Sequence, residues 1–364
     1  EYGLAHFAEH AIFKGTKRRK AYQINCRLEN RGGELNAYTT KEDTTIHATT
    51  LRSDFSKAVE LIADVAFNST FPERELAKER EVIVDEINTY KDSPADMIFD
   101  TFEDMIFSGS ELGHNILGNT NTIATFTSDV CQEYLARYYT APNMVFFYMG
   151  NERPSKVFKM AEKHFSTLSS DFAPINRVAP TAVVPFDIKR NLGNHQCHTI
   201  MGSHIEGMYS EQRYPTALFT NIIGGPGMNS LLNVSLRERR GLVYTVEASS
   251  AMFTDSGAFA IYFGCDHNDH NRCRRLVMNQ LYTLASDTLS TKQIEAAKKQ
   301  YLGQLIVASE NREQAAISTG RAMLYHNHVA SSDEILARIN AITSEQVRQV
   351  AESIAKNIST LSFT

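Results

Sequence analysis

Residues 30–48 read NRGGELNAYTTKEDTTIHA, and their reading organises the rest of the chain. The Gly32-Gly33 pair ends a helix expected over 20–30. The runs that follow, about 34–40 and 44–51, are rich in Thr, Tyr and Ile and predict two strands joined by a polar turn. Two helices come next, one from Asp54 to Phe67 behind a Ser53-Asp54 start, the other after Pro72 to about Tyr90. Upstream, residues 4–14 are apolar and free of Gly and Pro, which suits another helix. A Gly/Asn-rich loop at 108–122, a strand at 144–150 and a helix at 155–165 complete this half.

The second half repeats that order. Helices at 215–223 and 228–239 lead to Gly241, strands at 242–250 and 257–265, and helices at 269–286 and 291–308. Helix, helix, glycine turn, two strands and two helices recur at similar spacings, which implies two copies of one module. The expected fold is therefore α+β, with two homologous modules, each a mainly antiparallel sheet carrying helices on one face. Residues 1–168 form the first module, the Ser/Ala/Pro-rich 169–185 a linker and 186–364 the second module.

Composition narrows the function. The 364 residues carry a net charge of −5, so no basic field is available to draw nucleic acid. No run of 18 apolar residues offers a membrane span. The five cysteines are odd in number, widely spaced and free of C-x-x-C pairs. They read as free thiols in a reducing compartment, with the cytoplasm as the expected location.

Chemistry concentrates in HFAEH, residues 6–10. On a helix, positions i, i+3 and i+4 share a face, so His6 and His10 lie side by side with Glu9 next to them. Two imidazoles and a carboxylate suit a zinc site that keeps a position open for water. The order H-x-x-E-H is that of the inverzincins. The competing reading is of ordinary polar residues on a helix. A third ligand is sought in ELAKEREVIVDEINTYK, residues 75–91, where Glu79 and Glu86 are two helical turns apart and share a face. Val82 and Ile83 are expected to supply that helix's packing, although most glutamates in so charged a helix are solvated.

HFAEH followed by AIFKGT, then NRGGELNAYTTKEDTTIHA, KEREVIVDEI, YYTAPNMVFFYMGN and LRERRGLVYTVEASS, resembles the pitrilysin/insulinase family of zinc peptidases. The pattern is closest to the β-subunits of mitochondrial processing peptidase and their short bacterial relatives, and it covers nearly the whole chain. The resemblance implies a zinc-dependent metalloendopeptidase acting on peptides or unstructured segments, with one Zn²⁺ per chain. By position, His6, His10 and Glu86 resemble the metal ligands, and Glu9 the general base on the zinc-bound water. Glu79 resembles a supporting carboxylate. Arg237 and Tyr244 resemble the pair that holds substrate and reacting carbonyls. Asn36 and Ala37 match positions on the family's edge strand, to which the resemblance implies that substrate adds as another strand.

Family modules begin with strands upstream of the zinc helix, and here Glu1 stands five residues before His6. The expectation is a module whose N-terminal strands are missing from this chain. The segment GMNSLL, residues 227–232, also lacks an arginine that many relatives carry after the serine. One chain supplies half of the family's closed chamber, so a homodimer is expected, with Arg237 and Tyr244 acting in trans. Two rival expectations are a non-catalytic scaffold subunit and a peptidase active only with a different partner chain.

Overall fold

The computed structural model describes residues 2–172, 177–181 and 183–364. The expected linker therefore falls partly outside the described residues. In chain order the elements are α1 (Leu4–Ala11), α2 (Ala21–Glu29), β1 (Glu34–Thr39), β2 (Thr44–Thr49), α3 (Phe55–Phe67), α4 (Glu73–Lys91) and α5 (Pro94–Ile106). Then come α6 (Thr120–Ile123), α7 (Ser128–Tyr138), α8 (Pro154–Phe165), β3 (Asp187–Arg190), β4 (Cys197–Ile205) and α9 (Arg213–Gly224). The rest are β5 (Val243–Met252), β6 (Gly257–Cys265), α10 (His270–Ser286), α11 (Thr291–Ser309), α12 (Arg312–His326), α13 (Ser332–Asn340), α14 (Ser344–Lys356) and β7 (Ser359–Phe363).

Contacts divide the chain into two compact units that interleave in sequence. The first comprises residues 1–89, 115–177 and 308–329; the second comprises 90–114, 178–307 and 330–364. These units cut the chain differently from the repeated modules, because α5 joins the second unit and α12 the first.

The first unit buries Phe7, Ile12, Ile24, Leu28, Leu61, Val65, Leu76, Ile83 and Phe126 in one core. Among the described residues its sheet has two strands, β1 and β2, antiparallel with Leu35 opposite Ala48 and Asn36 opposite His47. On α4 the buried stripe is Leu76, Glu79, Ile83 and Ile87, a helical spacing that sets a carboxylate among apolar neighbours. Val82, expected to share that packing, is instead 50% exposed, since it falls one position off the stripe.

The strand expected at 144–150 does not form. Residues 144–149 belong to no sheet, because no strand lies beside them among the described residues and a ladder needs a partner. The exposure of these side chains nevertheless alternates as in a strand. Phe146 packs against Phe165 and Tyr148 against Phe55, while Val145, Phe147 and Met149 are more exposed, Phe147 lying beside Gly320 of α12.

The second unit is built on a five-stranded sheet in the order β3-β7-β4-β6-β5. β3 and β7 are parallel and the other pairs antiparallel. Strand β6 shows why both faces are covered. Phe259, Ile261, Phe263 and Cys265 enter the core that includes residues of α9, α10 and α14. Ala258, Ala260 and Tyr262 point the other way, into the cluster that holds Ile98, Phe102 and Ile106 of α5. Helices thus cover two faces of this sheet. The helix expected at 228–239 is in part a π-helix over Asn233–Glu238, whose apolar pattern a sequence does not distinguish from an α-helix. All five cysteines are free.

Candidate metal centre

The site is assembled from α1 and α4 of the first unit. The start of α1 is set by two glycines. Gly3, its N-cap, has φ 92° and Gly118 has φ 71°. A Cβ on Gly118 would lie 2.5 Å from the carbonyl oxygen of Tyr2, and one on Gly3 would lie 2.8 Å from the Cα of Gly118. The two backbones touch, which fixes where α1 begins and so where its polar face points.

That face carries His6, Glu9 and His10. His6 and Glu9 are each 7% exposed, and the His6 and His10 rings lie 4.5 Å apart. From α4, Glu86 Oε2 approaches His6 Nε2 at 3.8 Å and His10 Nε2 at 3.9 Å. Ligand atoms of His6, His10 and Glu86 all lie within 4.8 Å of one another, the only such group among the described residues. A tetrahedral zinc with bonds near 2.0–2.1 Å spaces its donors by about 3.3 Å, so a small inward movement would close this set. Two nitrogens and one oxygen are a donor set that zinc accepts.

Glu79 prepares the centre from behind. It is 4% exposed. Its Oε1 accepts from His10 Nδ1 at 2.9 Å, and its Oε2 pairs with Lys14 Nζ at 2.6 Å. With Nδ1–H donating to Glu79, His10 keeps the lone pair of Nε2 for a metal. Lys14, four residues beyond His10, was not anticipated, although that spacing places it on the same side.

The electrostatics favour a dication. Burial first, and then neighbouring His10, push the His6 pKa down to about 4, so its ring stays neutral and available as a ligand. Burial opposes protonation of His10, but the hydrogen bond to Glu79 and the surrounding carboxylates outweigh it and raise its pKa. Burial would raise Glu79, yet the hydrogen bonds from His10 and Lys14 hold it below the ordinary range. Glu9 is raised by burial, with His10 opposing and Glu86 and Glu79 adding to the rise. Three carboxylates converge where one cation, Lys14, is paired with Glu79. Each feature fits a divalent metal held by His6, His10 and Glu86.

The remaining expected positions fall elsewhere. Asn36 is exposed and Ala37 half-buried on β1, whose second edge pairs with no strand among the described residues. In the second unit Arg237 sits in the π-helix with its guanidinium 5.7 Å from the centre of the Tyr244 ring. Tyr244 is 85% exposed. Both line an open cleft with Gly225, Asn233 and Glu247. Elsewhere, His270 is hydrogen-bonded to Thr199 and Ser362, and His267 to Cys197 and the carbonyl of Asn194.

Residues 1–120 match the family Insulinase (Peptidase family M16), and residues 125–301 match Peptidase M16 inactive domain. An uncharacterized zinc protease of Rickettsia bellii is 33% identical over 99% of this chain and 87% of its own length. An uncharacterized zinc protease of Bacillus subtilis, YmxG, is 31% identical over 97% of this chain and 85% of its own. In fold, the chain superposes on a peptidase M16 inactive domain from Pseudomonas fluorescens with a TM-score of 0.91 at 17% identity. That match covers all of this chain and 88% of the other. A protease from Helicobacter pylori gives 0.90 at 19%, covering all of this chain and 89% of its own. No helix among the described residues is long and apolar enough to cross a membrane.

Proposed function

Because the chain belongs to the insulinase (M16) peptidase family, we propose that it is a zinc-dependent endopeptidase hydrolysing peptides bound in an extended form. The observation that carries this reading is the convergence of His6, His10 and Glu86 beside the buried Glu9. Zinc, when bound, supplies a Lewis acid that makes a water acidic near neutral pH and polarises the scissile carbonyl. His6 and His10 would hold the metal through Nε2, and Glu86 through a carboxylate oxygen. Glu79 orients the His10 ring. Glu9 takes the proton of the attacking water and passes it to the leaving amine, a task suited to a carboxylate whose proton affinity is raised by burial. The substrate backbone pairs with β1 along Asn36 and Ala37.

The test is a peptide-library digest read by mass spectrometry, before and after chelation. Cleavage that stops with chelator and returns with Zn²⁺ supports the reading. Cleavage indifferent to chelation removes it.

In this reading two copies of the chain form a homodimer, and the second copy supplies Tyr244 to the developing oxyanion and Arg237 to a nearby substrate carbonyl. Mixing His10→Ala chains with Tyr244→Phe chains is expected to restore activity that neither has alone. A mixed dimer that stays inactive rules this sharing out.

The match to an inactive domain favours a scaffold role as a second reading, but it begins at residue 125, beyond all of the proposed ligands. Zinc content separates the two. A pure protein that cannot be loaded with the metal would be a scaffold.

A further inference from the structure

The turn of the β1–β2 hairpin is Thr40-Lys41-Glu42-Asp43, a polar sequence of the kind that ordinarily sits in water. Two of its carboxylates do not. The Glu42 and Asp43 side chains are 5% and 4% exposed. A carboxylate out of water needs partners, and both have them. Glu42 pairs with Arg177 at 2.5 Å. Asp43 Oδ2 accepts from the Tyr325 hydroxyl at 2.5 Å and forms an ion pair with Arg321 at 3.0 Å.

The far end of the hairpin is tied in the same way. Thr49 Oγ1 donates to Glu313 Oε2 at 2.6 Å, and His47 Nδ1 lies 4.0 Å from the same oxygen. Glu313, Arg321 and Tyr325 all belong to α12. From Glu313 to Tyr325 the helix rises about 18 Å at 1.5 Å per residue. From Thr49 back to Asp43 the strand covers about 20 Å at 3.4 Å per residue. Helix and strand are matched in length and joined at both ends.

By strand alternation, Asn36, Tyr38, His47 and Thr49 share the face turned to α12, while Leu35, Ile46 and Ala48 turn to the core. α12 contributes no fully buried residue, so these polar ties to the hairpin are among its main attachments. A two-stranded ribbon alone is marginally stable in water. Its shape depends on what supports it.

We propose that α12 is a brace that presents the free edge of β1 as a preformed template for an extended peptide. Glu313, Arg321 and Tyr325 are its positioning residues. The inference rests on the peptidase reading above and adds to it what sets substrate affinity. A loosened hairpin must be ordered by the incoming peptide, so the cost appears in binding. Glu313, Arg321, Tyr325 and Asp43 are none of the proposed metal ligands and none of the carboxylates around them, so turnover of bound substrate is expected to stay nearly constant.

The test compares the zinc-loaded full chain with a Tyr325→Phe/Glu313→Gln double variant, two near-isosteric changes. Asp43→Asn serves as an independent single variant. The measurements are zinc content, amide hydrogen exchange over residues 34–49, and kcat and KM for two peptides with one cleavage sequence. One peptide is long enough to run beside all six residues of β1, and the other spans only the residues flanking the cut. The expected result is unchanged zinc, faster exchange in the hairpin, and a KM for the long peptide raised about tenfold at nearly constant kcat. The short peptide is expected to show no change. Unchanged KM for the long peptide overturns the proposal, as does an equal loss for both peptides or a fall in kcat. A wild-type protein that cleaves neither peptide marks failure of the peptidase reading instead, a result distinct from an active enzyme indifferent to the brace.

Discussion

Replacing Glu9 by Gln is expected to lower kcat/KM by about 10²–10⁴-fold while zinc stays bound at the wild-type level. The amide has the size of the carboxylate and fits the same buried position on α1. It cannot take a proton from water. None of the three proposed ligands is altered, and the Glu79–His10 hydrogen bond that orients the second imidazole is retained. Metal analysis and single-turnover kinetics on the same preparation check the result. Activity within tenfold of wild type would assign the base to another group.

His10→Ala is the second large effect. His10 offers Nε2 to the metal and binds Glu79 through Nδ1, so its removal takes away a ligand and the partner of a buried carboxylate at once. Glu79 then keeps its ion pair with Lys14 and loses its hydrogen bond from His10. With two protein ligands remaining, zinc is expected to fall from one equivalent to below about one tenth, and peptidase activity with it. Glu79→Gln provides the graded comparison, since losing the support behind a ligand typically weakens metal affinity about 10–100-fold. Excess Zn²⁺ should therefore rescue Glu79→Gln and not His10→Ala. A His10→Ala protein that keeps a full equivalent would mean that the metal lies elsewhere.

The pairing of His6 with His10 was legible because it rests on helical periodicity, while Glu86 was singled out by the family resemblance. His6 and His10 are one turn apart, Glu79 and Glu86 two turns, and such spacings survive folding unchanged. The same periodicity, applied strictly, would have separated Ile83 from Val82. Lys14 was hidden because a lysine near the end of a helix reads as solvated until a buried carboxylate is known to face it. The hairpin's attachment to α12 was hidden for another reason: Thr49 and Glu313 are 264 residues apart, and nothing local to either announces the other. At 144–149 the side chains alternate as in a strand, but a strand also requires a neighbour, which a local pattern does not contain. The placement of α5 shows the limit of sequence adjacency. Following α4 directly, it packs on strands that come some hundred residues later.

Strand β7 has a consequence for biogenesis. It lies between β3 and β4, so residues 359–363 must arrive before either can complete its pairing. A ribosome adding about 5–20 residues per second leaves β4 without that neighbour for roughly 8–30 s after it emerges. During that interval the nascent chain displays an open sheet edge and the apolar side chains of a half-built core. The β1–β2 hairpin likewise waits for α12. Both units therefore mature late in synthesis, and a chaperone that shields extended apolar segments would act here on the growing chain.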